Sequence, residues 1–179
     1  MKIGILFDLD GTLLDTLQDL KDAVNYALRT HGYPERTLPE VRRFVGNGAA
    51  RLLALSVPEG EDYQPVLATY QAYYRTHCQI KTGPYAGIPE ALAALSEKYP
   101  IAVVSNKPDP AVQELADSIF PGLFEFSVGE REGVRRKPAP DTVYTAMEHL
   151  QVLPDESVYI GDSEIDLQTA ENAGLDVIA

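Results

Sequence analysis

The chain has one cysteine, Cys78, and therefore no internal disulfide, which excludes a small secreted scaffold held by disulfides. Its three histidines, His31, His77 and His149, are widely separated and form no four-ligand Cys/His cluster for structural zinc. Long hydrophobic runs are missing as well. The opening Met1-Lys2-Ile3-Gly4-Ile5-Leu6-Phe7 meets Asp8 before it is long enough for a signal peptide. No stretch approaches the ~18 apolar residues that a membrane helix needs. Positive charge is scarce: 15 Lys and Arg stand against 27 Asp and Glu, a net charge of −12. That balance argues against nucleic acid or an anionic membrane as partner, because both attract basic faces. It leaves open a small anionic substrate held by a metal, and a cytoplasmic location is expected.

What is present reads as a folded globular protein. Hydrophobic residues make up 45% of 179, too many for a disordered chain. At a prior of roughly 150 residues per domain, the length suits one domain with a small insert. Short apolar runs without alternation occur at Ile3 to Phe7, Ile101 to Val104 and Val158 to Ile160, and again at Leu175 to Ala179, broken by Asp176. Such runs suit parallel strands covered on both faces. Helical spacing separates them in Pro89 to Lys98, Pro110 to Ser118 and Asp141 to Leu150. The expected fold class is α/β, a doubly wound, mainly parallel, Rossmann-like sheet.

Residues 16–81 have a different character. Leu17, Leu20, Val24 and Leu28 fall at helical spacing and Gly32 is a plausible stop. Thr37-Leu38-Pro39-Glu40 has the capping-box pattern that opens a second helix. Gly46-Asn47-Gly48 breaks it, a third helix covers Ala49 to Leu55, and a fourth runs from about Glu61 to Gln79. No strand is evident there. The expected organisation is a core of residues 1–15 and 82–179 with a helical cap, 16–81, inserted after the first strand. The hinges are expected near Asp15 and Thr82-Gly83-Pro84.

Four segments follow predicted strands or precede helices, where an open α/β sheet forms its ligand crevice. The first is Asp8-Leu9-Asp10-Gly11-Thr12, in which Gly11 permits the turn that lets both carboxylates enter the crevice. The second, Ser105-Asn106-Lys107, offers a hydroxyl and backbone N–H groups suited to phosphate oxygens. In the third, Lys137-Pro138-Ala139-Pro140, two prolines stiffen the loop that carries the lysine. The fourth, Gly161-Asp162-Ser163-Glu164-Ile165-Asp166, places two carboxylates four residues apart. Each alone has a plainer reading, as a solvated turn, a polar loop, a loop lysine or helix N-terminal acids. Together, in this order, they point to one site whose hard oxygen donors favour Mg2+.

These four segments, in order and spacing, resemble the haloacid dehalogenase superfamily of phosphohydrolases. The resemblance spans nearly the whole chain, including a helical cap between the first and second segments. Within the superfamily the chain is most similar to the phosphoglycolate phosphatase group. The passages that suggest it are Val41-Arg42-Arg43-Phe44-Val45-Gly46-Asn47-Gly48, Ser105-Asn106-Lys107-Pro108-Asp109, and Gly161-Asp162-Ser163-Glu164-Ile165-Asp166 with Thr169-Ala170-Glu171-Asn172-Ala173-Gly174. The resemblance implies a Mg2+-dependent phosphatase acting on a small anionic phosphate ester, 2-phosphoglycolate first, through an aspartyl-phosphate. Asp8 would be the nucleophile and Asp10 the general acid and base. Mg2+ would be held by Asp8, the backbone carbonyl of Asp10 and Asp162, with Asp166 behind it orienting a metal water or Lys137. Ser105 and the Asn106 N–H would bind the phosphoryl group, Lys137 would balance its charge, and Thr12 would help to hold the Asp8 loop. Glu164 is expected to cap a helix or face solvent.

In the cap, Arg42, Arg43 and Arg51 are the available cations. Arg51, four residues past Asn47, is the best placed to select a carboxylate-bearing substrate, with the Gly46-Asn47-Gly48 backbone beside it, while a solvated helix face is the plainer reading for all three arginines. The sequence departs from the family where it ends. Members normally continue with another strand and helix, so a chain stopping at Val177-Ile178-Ala179 is expected to be truncated, as a monomer or homodimer. A pyrophosphatase and a β-phosphoglucomutase-like phosphotransferase remain alternatives within the superfamily. A receiver-like phosphoacceptor domain remains one outside it.

Overall fold

The computed structural model describes residues 3–179. The sheet begins with β1 (Gly4–Phe7), which is buried throughout, and the chain then turns into the two-residue strand β2 (Leu14–Asp15). Four helices follow: α1 (Leu17–Thr30), α2 (Leu38–Phe44), α3 (Gly48–Ser56) and α4 (Gln64–His77). After β3 (Gly83–Pro84) come α5 (Ile88–Ser96), β4 (Ile101–Pro108), α6 (Asp109–Ile119) and β5 (Phe126–Glu130). The remainder is α7 (Asp141–Leu150), β6 (Ser157–Ile160), α8 (Glu164–Ala173) and β7 (Asp176–Ile178). The chain divides into two compact units, one of Met1–Leu14 with Pro84–Ala179 and the other of Asp15–Gly83.

In the first unit five strands lie in the order β5-β4-β1-β6-β7, each pair parallel. β1 is thus central, and the winding direction reverses on either side of it, the topology that opens a crevice at the strands' C-terminal ends. Strand alternation divides the core between the two faces. Leu6, Ala102, Val104 and Tyr159 pack with Val143, Ala146, Met147 and Leu150 of α7 and with Ala170 and Ala173 of α8. Ile5, Phe7, Ile101 and Val103 pack on the other face with Leu92 of α5 and Val112 and Leu115 of α6. Both faces are covered, which is why these strands read as unbroken apolar runs.

Two features of the sheet differ from the sequence expectation. β5 is an additional strand, whose Phe126-Ser127-Val128-Gly129-Glu130 is too mixed to stand out as an apolar run. β4 continues through Ser105, Asn106 and Lys107 rather than ending at Val104. Its register against β5 shifts between Val104 and Pro108, so this polar extension stays in the sheet although its pairing is irregular.

The second unit is helical, with a core from Leu20, Val24, Leu28, Val41, Leu52, Leu53, Val66 and Tyr70 among others. The Thr37–Glu40 capping box forms, with Glu40 Oε2 accepting from the Thr37 N–H at 2.8 Å and from its hydroxyl at 2.6 Å. Gly48 opens α3 rather than ending the break before it, at a φ of 77° that suits glycine. α4 starts at Gln64, later than expected, because Asp62 accepts the Gln64 N–H at 3.0 Å ahead of Pro65. At the unit's C-terminal end, buried Asp19 accepts from the Lys81 N–H, the Thr82 N–H and the Thr82 hydroxyl at 2.8, 2.8 and 2.9 Å. No helix among the described residues is long and apolar enough to cross a membrane.

Candidate active site

The C-terminal ends of β1, β4 and β6 bring the four segments together in the first unit. Asp8 follows β1 directly, and its N–H donates to the Ile160 carbonyl at 2.8 Å, extending the sheet pairing by one residue. The chain then turns back. Leu13 and Leu14 N–H groups both donate to the Leu9 carbonyl at 3.0 Å, while Leu9, Leu13 and Leu14 are fully buried anchors. Gly11 makes the turn at a φ of 93°, and a Cβ there would run into the Asp162 carboxylate. This glycine therefore serves the turn and the close approach at once.

Lys137 is the hub. It lies in the loop before α7, 3% exposed, with a cis bond to Pro138. Its ammonium reaches Asp8 Oδ1 at 2.7 Å, Asp166 Oδ1 at 2.7 Å, the Tyr159 hydroxyl at 2.9 Å and the Val104 carbonyl at 3.2 Å. Burial works to lower its pKa, but Asp8, Tyr159 and Asp166 overcome that and hold the ammonium well above the ordinary lysine range. The loop is latched to β4 by a reciprocal amide pair. Asn106 Nδ2 donates to the Lys137 carbonyl at 3.0 Å, and the Lys137 N–H donates to Asn106 Oδ1 at 2.9 Å.

Burial pushes the Asp8 carboxyl up to about 7, against the opposing charge and hydrogen bond of Lys137, and Asp166 and Asp10 add to the rise. Oδ1 is pinned by Lys137, whereas Oδ2 has no hydrogen-bond partner among the described residues. Asp166 sits in the first turn of α8 within a capping box. Its Oδ2 accepts the Ser163 hydroxyl at 2.5 Å and the Ser163 N–H at 3.2 Å. Burial raises its pKa, but Lys137 and Ser163 outweigh that, so Asp166 is held below the usual carboxylate range. Gly161 is required beside it, because a Cβ there would overlap the Asp166 side chain. Asp162 is more exposed. Desolvation raises its pKa, and the Thr12 hydroxyl, donating to Oδ1 at 3.2 Å, works the other way.

Asp8, Asp162 and Asp166 each offer an oxygen within 4.8 Å of the others, a set that could hold a metal ion. All are hard donors. Four carboxylates, Asp8, Asp10, Asp162 and Asp166, meet two ammonium groups, Lys107 and Lys137, so the residues present fit a divalent cation in charge as well as in chemistry. The Asp10 carboxylate points elsewhere, with both oxygens on Lys107 at 2.8 and 3.0 Å. Ser105 is buried, and its Oγ accepts the Lys107 N–H at 3.2 Å. Glu164 is exposed as the first residue of α8 and takes the Gln168 side chain at 3.2 Å. In the helical unit, Asn47 and Arg51 are exposed on either side of the start of α3.

Two contributors had no role in the sequence expectation. Tyr159 lies inside an apolar strand run and faces the same side as Leu6. Its hydroxyl also bonds the Val104 carbonyl and Asp166 Oδ1, both at 3.2 Å. Burial lifts its phenol well above the usual range, so it remains a donor. The one available signal was a hydroxyl in a strand covered on both faces, two residues before Gly161-Asp162. Removing that hydroxyl by Tyr159→Phe is expected to cost about 1–2 kcal/mol in urea unfolding, because Lys137 loses an acceptor that no water replaces. A variant as stable as the parent would show the hydroxyl to be idle. Lys107 is the other contributor, and its sequence signal was only its place beside Ser105-Asn106.

A family model for haloacid dehalogenase-like hydrolases matches residues 5–179. The chain is 37% identical to a phosphoglycolate phosphatase from Rhodobacter capsulatus, across 98% of this chain and 82% of that protein. It is 33% identical to an N-acetylmuramic acid 6-phosphate phosphatase from Pseudomonas aeruginosa, across 96% and 78%. Among crystal structures, a candidate phosphoglycolate phosphatase from Lactobacillus delbrueckii subsp. bulgaricus superposes with a TM-score of 0.92 at 40% identity, covering 99% of this chain and 85% of that one.

Proposed function

This chain belongs to the haloacid dehalogenase-like hydrolase family and is a phosphatase, a phosphoric monoester hydrolase; from that membership we propose that it hydrolyses 2-phosphoglycolate with Mg2+ through an aspartyl-phosphate on Asp8. The observation that carries this reading is the asymmetry of Asp8, whose Oδ1 is held by Lys137 while Oδ2 is left open to attack phosphorus. In the first step Asp8 Oδ2 bonds to phosphorus, the ester P–O bond breaks, and Asp10 gives its proton to the departing oxygen. In the second, Asp10 takes a proton from water. The water oxygen bonds to phosphorus, the P–O bond to Asp8 breaks, and inorganic phosphate leaves.

Ser105 and the Asn106 N–H bind the transferring phosphoryl oxygens, and Lys137 offsets the charge that gathers between them and Asp8. Asp8, Asp162 and the Asp10 carbonyl hold Mg2+. When bound it supplies Lewis acidity at the phosphoryl oxygens. Asp166, with both oxygens already engaged by Lys137 and Ser163, orients the lysine rather than binding the metal directly. Thr12, donating to Asp162, orients that ligand. In the helical unit Arg51 has no ion-pair partner among the described residues and supplies the cation for the substrate carboxylate, with Asn47 beside it.

The test is a substrate panel with and without Mg2+: 2-phosphoglycolate, N-acetylmuramic acid 6-phosphate, pyrophosphate and β-glucose 1-phosphate. The expected result is Mg2+-dependent turnover with the highest kcat/KM on 2-phosphoglycolate. In the same panel Arg51→Ala raises KM for 2-phosphoglycolate more than for 4-nitrophenyl phosphate. Equal rates on all four compounds, or preference for a sugar phosphate, would overturn the substrate assignment.

A further inference from the structure

The ion pair between Lys107 and Asp10 has no place in the steps above. It is nevertheless one of the most enclosed charge contacts in the protein. The Lys107 side chain is 2% exposed and the Asp10 side chain 16%, and the ammonium donates to both carboxylate oxygens at 2.8 and 3.0 Å. An ammonium withdrawn from water to this extent is costly unless its partner is well placed. Surface attraction, which is worth little, does not account for it.

The two partners are held very differently. Lys107 belongs to β4, so its stem is fixed by the sheet. Its N–H donates to Ser105 Oγ at 3.2 Å. Its carbonyl lies so close to Gly129 of β5 that a Cβ there would approach it at 2.5 Å. The next turn is tied as well, since Asp109 accepts the Gly129 N–H at 2.7 Å. Asp10, by contrast, stands on the turn after β1, immediately before Gly11 with its positive φ. The strand-borne lysine is the fixed member and the loop-borne carboxylate is the one being placed.

We propose that Lys107 is the positioning residue for Asp10, clamping both carboxylate oxygens so that proton donation and proton abstraction start from one orientation. The inference rests on the acid–base role assigned to Asp10 above. Proton transfer needs the carboxyl within hydrogen-bond reach of the leaving oxygen, and a carboxyl on an unclamped loop spends little time there. Lys107 acts through the Asp10 carboxylate, which its ammonium holds at both oxygens. Its loss should therefore lower kcat and leave KM in place. The loss should be largest where the departing oxygen most needs a proton.

The experiment is a double-variant cycle of Lys107→Met and Asp10→Asn, assayed with phenyl phosphate and 4-nitrophenyl phosphate. These esters are alike in shape and charge and differ in how badly the leaving group needs a proton, and neither depends on the natural substrate. Lys107→Met is expected to lower kcat on phenyl phosphate by about tenfold to hundredfold, with KM within about twofold. The loss in the rate of phosphoenzyme formation from 4-nitrophenyl phosphate should be smaller. In the Asp10→Asn background the same change should lower kcat by less than about twofold, because the two residues act as one unit. Lys107→Arg should recover part of the activity. If Lys107→Met does not fold, as judged by circular dichroism, Lys107→Gln takes its place in the cycle. A rise in KM at constant kcat would make Lys107 a substrate contact and overturn the proposal, as would full additivity with Asp10→Asn or equal losses on both esters. Parental activity in Asp10→Asn alone would instead remove the acid–base reading itself.

Discussion

Asp8→Asn is expected to abolish turnover, lowering kcat by about 10⁴-fold or more, while the protein folds as before. The substitution is isosteric and its amide oxygen can still accept from Lys137 where Asp8 Oδ1 does so at 2.7 Å. Lost are the nucleophilic oxygen and one buried negative charge. That charge gives the variant a stability signature with a definite sign. Asp8 goes from 3.8 in the unfolded chain to about 7 in the folded protein, so the folded state binds the extra proton. The metal-free parent therefore keeps the contribution of Asp8 in full below about pH 4 and loses it as pH rises through about 7. Asp8→Asn has nothing to lose in that window. In EDTA, the Tm of the variant minus that of the parent should grow between pH 4 and 7 and level off above. A flat difference would mean that the Asp8 carboxylate is not buried as described, and sustained turnover by the variant would sink the covalent mechanism.

Lys137→Met is expected to have the second-largest effect, and it should damage fold and activity together. The 3% exposed ammonium stands between Asp8 and Asp166 at 2.7 Å from each. Without it two buried carboxylates face one another, and breaking a buried charge pair from one side costs about 3–5 kcal/mol. For a chain of this size that is a fall in Tm of about 10 °C. The charge opposite the transferring phosphoryl group is lost as well, a further drop in kcat of about 10²–10³-fold. Lys137→Arg should not rescue either property. A planar guanidinium cannot aim its donors at Asp8, Asp166 and Tyr159 from the point that the compact ammonium occupies. Parental Tm in Lys137→Met, measured by differential scanning fluorimetry, would show that the carboxylates do not depend on this cation.

These effects arise from residues whose visibility in the sequence was uneven. The runs Ile3 to Phe7, Ile101 to Val104 and Val158 to Ile160 announce buried parallel strands, because a strand covered on both faces has no polar side. β5 was missed because an edge strand needs only part of its surface to be apolar, and Phe126 and Val128, with Ser127 between them and Gly129 after, do not make a run. Asp8, Ser105 and Asp162 were legible as polar residues at the ends of apolar strand runs, and Lys137 through the two prolines that stiffen its loop ahead of a helix. Asn106 was legible only in part. Its backbone suggested a phosphate site, but the use of its amide to latch the Lys137 loop depends on a partner 31 residues away.

The sequence by itself determined the α/β class, the parallel strands and the set of chemical groups available: carboxylates, a hydroxyl, lysines and turn-forming glycine. Those follow from local spacing and side-chain chemistry, which act over a few residues. Only the tertiary structure decided which charges meet. Lys137 reaches Asp8 across 129 positions and Lys107 reaches Asp10 across 97, while Tyr159 closes the buried network from the neighbouring strand. The order β5-β4-β1-β6-β7 sets those encounters. In a low-dielectric crevice, the partner a charge meets decides whether it is pinned, raised, lowered or left open to react.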